Sequence, residues 1–530
     1  MMSFDLVRRC SVGRELKTKT IRRAFAIDRS SLRQVLWSLP VIGVISVYYW
    51  FMASSGTFHD NKNYTAYYDM LAEGFRHGHL YIVTQPSAQL LAKTDPFAFE
   101  NIRLWLWDVS LYKGHYYMYW GPVPALFMLA YKVVTGTQEQ MTDQWLTAIF
   151  MLGRFWAGAG LILSFVSRLK HRQPTWVVCL AIAVFGLGNP SPFIVARPCV
   201  YEACLIGGGC FVFCGMFFAF WGLEAAGHRK LFFLAAGLSW SLAIGCRVTN
   251  LLCVPILMLI SAGFAWYRSN RSRSAFIAEC LIMGVPVTLT VLALGWYNYA
   301  RFDSPTDFGV SYQLTMQPFF GYPAYIWPNV YSYLFGPLKW SCHFPFAKIT
   351  GYRALSSLVN WPQGYLTFER VAGIMITTTW AWFSLFGIWR VIDYLLTRRR
   401  RPHASNAAAE LTATEVWFLT CSVATMAAVV PALTLWEASM RYVEDAAGGL
   451  LLLATLGVFW LLRRTYLDRR NALGLAVRGL VVVLGAQTCI IGALNGFSSY
   501  DDSFKYVNPI LFEKIESALS VCPKSKTEEQ

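Results

Sequence analysis

Apolar residues along this chain come in long unbroken blocks, not in strict alternation. Eleven blocks stand out, at residues 35–53, 145–165, 176–190, 203–223, 231–245, 251–267, 278–299, 371–396, 416–435, 448–462 and 473–495. Most approach the roughly 20 residues that a helix needs to cross the hydrocarbon core of a bilayer. In hydrocarbon every backbone N–H and C=O must be satisfied within the protein, which favours helices. The pattern therefore predicts an all-α polytopic membrane protein with about 11 transmembrane helices. A further block, 117–134, is long enough to cross but opens with Gly121, Pro122 and Pro124.

Charge decides the fate of that block. Nine lysines and arginines precede Val35. Short cytoplasmic loops beside spans carry an excess of Lys and Arg. If 117–134 crosses, then Arg168, Lys170, Arg172, Arg268, Arg271, Arg273 and the run 398–401 face away from the basic N-terminus. If it lies flat, all of them join that terminus, along with Arg229, Lys230, Arg463, Arg464, Arg469 and Arg470. The second arrangement obeys the rule at every loop, so 117–134 is expected as an interfacial helix on the outer face. The chain then divides into a basic cytoplasmic N-terminus (1–34), a first span (35–53) and a first extracytoplasmic segment with juxtamembrane helices (54–144). A bundle of spans (145–299), a second extracytoplasmic loop (300–370), a C-terminal bundle (371–495) and an extracytoplasmic tail (496–530) follow.

Composition agrees. The 530 residues are 55% apolar and only 14% charged, against about a quarter charged in soluble domains. The net charge of +16 suggests a polyanion partner until its location is noticed. The charge sits in loops beside spans, so no nucleic-acid partner is expected. Most of the 13 cysteines lie within apolar blocks and no CxxC pair occurs, which argues for packing over metal or redox chemistry. The basic N-terminal region is too long for a cleavable signal, so the first span is expected to stay as an anchor.

Candidate chemistry gathers at the outer ends of the spans, where ionisable residues at membrane depth tend to be functional. Asp60 follows the first span and suits either a helix N-cap or a general base. Behind it, Tyr64, Tyr67, Tyr68, Leu71 and Phe75 recur at helical spacing, with Asp69, Glu73 and Arg76 on the wetter side. Arg197 and Glu202 bracket a short outer turn, either as an ion pair or with Glu202 turned to a substrate hydroxyl or a divalent ion. Arg247 stands in a tight outer turn and Arg441 near Glu437, Glu444 and Asp445. Both suit lipid headgroups or a bound phosphate, which the guanidinium fork matches. His115 reads as a surface residue. The second outer loop is dense in Tyr, Trp, Phe and Pro, suited to sugar stacking and equally to the lipid interface.

Taken in order, these features resemble the GT-C class of membrane glycosyltransferases, which includes protein O-mannosyltransferases and lipid A aminoarabinose transferases. The resemblance rests on Asp60 after the first span with Tyr64, Leu71 and Gly74 behind it, and on Gly114, Tyr116, Tyr117, Pro122 and Pro124. It also rests on YNYARFDSPTDFG at 297–309 and on Arg441-Tyr442 after a late span. It implies a polyprenyl-phosphate-linked sugar donor and a hydroxyl acceptor on a lipid, glycan or protein. It implies Asp60 as the base, and Arg247 or Arg441, then Arg197, as the cation at the departing phosphate. Glu202, Tyr64 and Tyr117 complete the expected substrate contacts. Several relatives carry two adjacent acids where this chain has Asp60-Asn61, so use of a divalent cation is left open, and no other cofactor is expected. An oligosaccharide polymerase or ligase and a membrane transporter are the rival readings, although no internal repeat of the transporter kind is evident. A bacterial inner membrane is the expected location, because no retention signal or long glycosylated loop is seen.

Overall fold

The computed structural model describes residues 29–225, 227–268, 272–315, 321–349, 361–362, 365, 369–400, 411–435, 437–466 and 472–522. The basic N-terminus before residue 29, and Arg271, Arg401, Arg469 and Arg470, lie outside these. Numbering the α-helices of ten residues or more, the chain forms α1 (Arg29–Ala53), α2 (Tyr67–Arg76), α3 (Val123–Thr135), α4 (Gln144–Ser167) and α5 (Thr175–Leu187). Then come α6 (Val200–Glu224), α7 (Arg229–Cys246), α8 (Val254–Arg268), α9 (Arg273–Phe302) and α10 (Ile326–Phe335). The last are α11 (Phe383–Arg400), α12 (Ala413–Thr425), α13 (Met440–Tyr466), α14 (Ala472–Gly496) and α15 (Pro509–Leu519). The all-α expectation holds, apart from two small hairpins, β1 (Ser110–Tyr112) with β2 (His115–Tyr117) and β3 (Lys339–Trp340) with β4 (Ala347–Lys348).

Among the described residues, eight helices are long and apolar enough to cross a bilayer. Of the eleven expected spans, 176–190 is a 13-residue helix, α5, and 231–245 falls outside the eight as α7. The block 371–396 is broken. Its first part is extended, then come the short turns Ile374–Thr377 and Thr379–Trp382 before α11 begins. The reason is the run Thr377-Thr378-Thr379, whose β-branched side chains disfavour a continuing helix. Backbone freed in this way survives at membrane depth only where protein covers it. Here Thr377 and Thr378 are fully buried, and Thr488 on α14 accepts from the Trp380 N–H at 2.9 Å.

Within the block 117–134 only the part from Val123 onward is helical, as α3. At about 1.5 Å per residue, 13 residues reach about 20 Å, short of the bilayer core. Its Lys132 is buried and meets Asp69 and Glu73 of α2 at 2.8 Å each. Asp69 is therefore not on a wet helix face, as the spacing suggested, but clamped between the two surface helices.

The two ends of the bundle differ in chemistry. At one end Arg229 meets Glu279, Arg168 and Arg268 meet Glu224, and Arg463 meets Glu415. The opposite end carries α2, α3, both hairpins, the described outer loop and α15. A disulfide, Cys342–Cys522, ties the second loop to the tail there across 180 residues of sequence. Within the bundle, Arg154 pairs with Glu444 at 3.0 Å and donates to Ser191 at 2.9 Å. Glu444 is thus spent on Arg154 and not on Arg441.

Candidate functional site

Local contacts first fold the outer segment down onto the helix ends. Asp143, just before α4, accepts the N–H groups of Tyr67 and Tyr68 at 3.1 Å and the Thr65 hydroxyl at 2.6 Å. It thereby serves the start of α2, whose first N–H groups have no partner inside the helix. Burial pushes its carboxyl up to about 7, although Thr65 and the two N–H groups favour the charged form. The Thr65 hydroxyl in turn accepts the Val200 N–H at 2.7 Å, which sets the start of α6. Between β1 and β2, Lys113 and Gly114 both take positive φ, as a two-residue type I′ turn requires. β1 then reaches across to the second loop. Asp108 N–H donates to Leu314 at 3.0 Å, and Leu314 N–H donates to Val109 at 2.8 Å. Gly121 follows β2 and lies against the carbonyls of Gly245 and Cys246, where any side chain would collide.

These contacts enclose a cavity of about 220 Å³. Its walls come from Tyr119 and Trp120, from Tyr201 at the start of α6, and from Arg247 after α7. Tyr297 and Arg301 near the end of α9, and Tyr442 and Asp445 on the first turns of α13, complete the polar side. Ile244, Val248, Leu294, Pro431 and Leu435 form the apolar side. Arg247 is held by Asp445 at 2.8 Å and reaches the Tyr201 hydroxyl at 3.3 Å. Arg441 lies over the far side of the Tyr201 ring, 4.3 Å from its centre, and is paired with Glu369. Arg197 is 3.7 Å from the fully buried Glu202, and both Arg197 and Arg441 pack on the Tyr500 ring. One aromatic pair, Tyr201 and Tyr500, thus joins three guanidinium groups from three different turns.

Behind Tyr119 stands Asp108, at positive φ and partly exposed. The Tyr119 hydroxyl donates to it at 3.2 Å, and Gln313 of the second loop donates to the same oxygen. Burial pushes its carboxyl up to about 6, against the pull of Arg441, Gln313, Tyr119 and Arg197 toward the ionised form. An acid poised near neutrality in a cleft suits general acid–base work.

Four of the residues singled out in the sequence, Arg197, Glu202, Arg247 and Arg441, meet in this region. Tyr64 sits beside them, bonded to Ser55 at 3.0 Å. Tyr117 packs edge-on to Phe302, 5.3 Å between ring centres, and lies outside the cavity wall. Asp60 is also outside the wall. It accepts from Thr142 and pairs with Lys62 at 2.8 Å. His115 stacks on Tyr81, away from the cavity. Sequence reasoning gave no role to Asp108, Tyr119, Tyr201 and Arg301, and noted Asp445 only as an acid near Arg441, whereas it pairs with Arg247. Arg301 carried a signal as a cation inside the stretch 297–309. Among the described residues no three His, Cys, Asp or Glu side chains converge.

No protein-family model matches the chain, and no curated protein matches its sequence. Solved structures of the Archaeoglobus fulgidus oligosaccharyltransferase are similar in outline. The apo form gives a TM-score of 0.45 at 10% identity, covering 93% of this chain and 61% of that one. The form tethered to an acceptor peptide with an NVT sequon gives 0.45 at 9%, covering 87% and 55%. The same organism's AglB with an inhibitory peptide and a dolichol-phosphate gives 0.43 at 10%, covering 93% and 61%. This chain thus spans about three fifths of the length of those it matches. A likeness of that size transfers no residue role.

Proposed function

We propose that this protein is an integral membrane glycosyltransferase. It moves a sugar from a polyprenyl-phosphate donor to a hydroxyl acceptor on the extracytoplasmic face. One observation carries the reading: a single cavity at one end of the bundle combines an apolar wall and guanidinium groups, with a raised-pKa acid behind Tyr119. The motif order that resembles GT-C enzymes supports it. Sidedness is supported by the basic residues at the opposite end and by Cys342–Cys522 at this one, since disulfides persist in oxidising compartments.

In this scheme the prenyl chain lies along Ile244, Val248, Leu294 and Leu435. The anomeric carbon gains a bond to the acceptor oxygen as its bond to the phosphate oxygen breaks. The acceptor proton passes to the Asp108 carboxylate, and the leaving group departs as the lipid phosphate, stabilised by a nearby guanidinium. Asp60 is the rival base. Asp60 is held by Thr142 and Lys62 outside the cavity wall, whereas Asp108 has the hydrogen bond from that wall.

The test is a donor comparison with purified protein in vesicles. A labelled polyprenyl-phosphate monosaccharide is expected to lose its sugar and release lipid phosphate. Consumption only of a diphosphate-linked oligosaccharide would move the protein to the polymerases, and lipid turnover with no phosphate released would move it to the transporters.

A further inference from the structure

The arginines around the cavity are not equivalent. Arg247 is neutralised by Asp445, Arg441 by Glu369 and Arg197 by Glu202. Arg301 is the exception. It lines the cavity and is only 3% exposed. Its partners are all neutral: the carbonyls of Met118 and Tyr297, and the side-chain oxygen of Asn298 at 2.7 Å. Its guanidinium lies over the Tyr297 ring, 3.7 Å from the centre. Among the described residues it forms no ion pair. The nearby Asp303 is paired with Lys113 at 2.5 Å, and Asp307, which accepts the Gly309 N–H, acts on Arg301 through its charge without contacting it.

A buried charge with no opposite charge in contact is costly. Two further donors on the same wall lack acceptors. The Trp120 indole N–H and the Tyr297 hydroxyl are both buried and, among the described residues, find no hydrogen-bond partner. An indole N–H only donates, and a guanidinium has more N–H groups than three acceptors use. The wall therefore holds one positive charge with no acid in contact and a surplus of donors. The complement of such a wall is an anion with several acceptor oxygens. A phosphate ester supplies that, and the adjacent apolar wall suits a hydrocarbon tail.

We infer that Arg301, Trp120 and Tyr297 form the phosphate subsite of the cavity, in place of the arginines already paired with acids. The inference rests on the proposed function for the identity of the phosphate ester. Arg247 and Arg441 then hold the walls of the cavity through Tyr201, and their acids keep them from leaving it.

Binding of undecaprenyl phosphate, undecaprenol and inorganic phosphate to the full-length protein in detergent tests this. Undecaprenyl phosphate is expected to bind at least about tenfold more tightly than undecaprenol. Arg301→Gln should remove most of that preference. Tyr297→Phe and Trp120→Phe, which delete a donor and keep a ring, should each reduce it several-fold, with undecaprenol binding and thermal stability unchanged. If Arg301→Gln misfolds, the two ring variants decide. A phosphate preference untouched by both of them overturns the subsite, even if sugar transfer is confirmed. Phosphate preference lost in these variants, in a protein that transfers no sugar, would keep the subsite and remove the transferase reading. Protection by inorganic phosphate alone, with no gain from the prenyl chain, would support the anion site and assign it to a free phosphate.

Discussion

At the residue scale, function turns on which acids and arginines are already spent. Asp60 was legible because a carboxylate just after a first span is conspicuous. Asp108 was not, because its character comes from Tyr119 and from Gln313, 205 residues further along. Likewise the sequence displays Arg197, Arg247, Arg301 and Arg441 as equals, and only packing shows that Arg301, among the described residues, is the one not in an ion pair. A base must be ionised to accept a proton. With its carboxyl held at about 6, transfer should be low at pH 5, rise through about pH 6 and level off above pH 7. Tyr119→Phe removes a hydrogen bond that favours the charged carboxylate. The rising limb of the pH–rate profile should then shift to higher pH while the plateau stays within about tenfold. An unmoved limb would mean that Asp108 does not report in the rate.

At the element scale, hydrophobic periodicity located most helices, and loop charge is the argument for laying the block 117–134 along the membrane surface. Both signals failed where side chains from distant elements decide the outcome. The threonine run at 377–379 breaks an apolar block whose length alone reads as a span. The tilt of α2 against α3 depends on Lys132, an unremarked lysine near the end of an apolar run, whose ammonium group is buried between Asp69 and Glu73. Removing one partner of a buried ion pair leaves the other charge uncompensated, at roughly 3–5 kcal/mol. Lys132→Ala should lower the thermal unfolding temperature in detergent markedly, whereas Lys113→Ala, which breaks an exposed pair with Asp303, should leave it within a degree or two. Equal effects of the two substitutions would show that α2 and α3 are not clamped in this way.

At the scale of the whole molecule, the chain separates a basic end from an end rich in aromatic rings, acids and short hairpins. The alternation of apolar blocks and charged loops made that polarity readable from the start. The disulfide was not readable, since nothing about Cys342 or Cys522 alone marks either as a partner of the other. The cavity was equally hidden, because its walls come from segments between Tyr119 and Asp445 that meet only after folding. Its position at the disulfide-bearing end, with an apolar wall and a poised acid, is the basis for sugar transfer from a lipid phosphate. The most direct measurement is single-turnover transfer from a labelled polyprenyl-phosphate sugar by wild type, Asp108→Asn and Asp60→Asn, with donor binding followed in parallel. Asp108→Asn should bind donor normally and transfer about 10²–10⁴-fold more slowly, and Asp60→Asn should lose about tenfold or less. Near-normal turnover in Asp108→Asn would contradict the account, and a collapse in Asp60→Asn alone would return the role of base to Asp60.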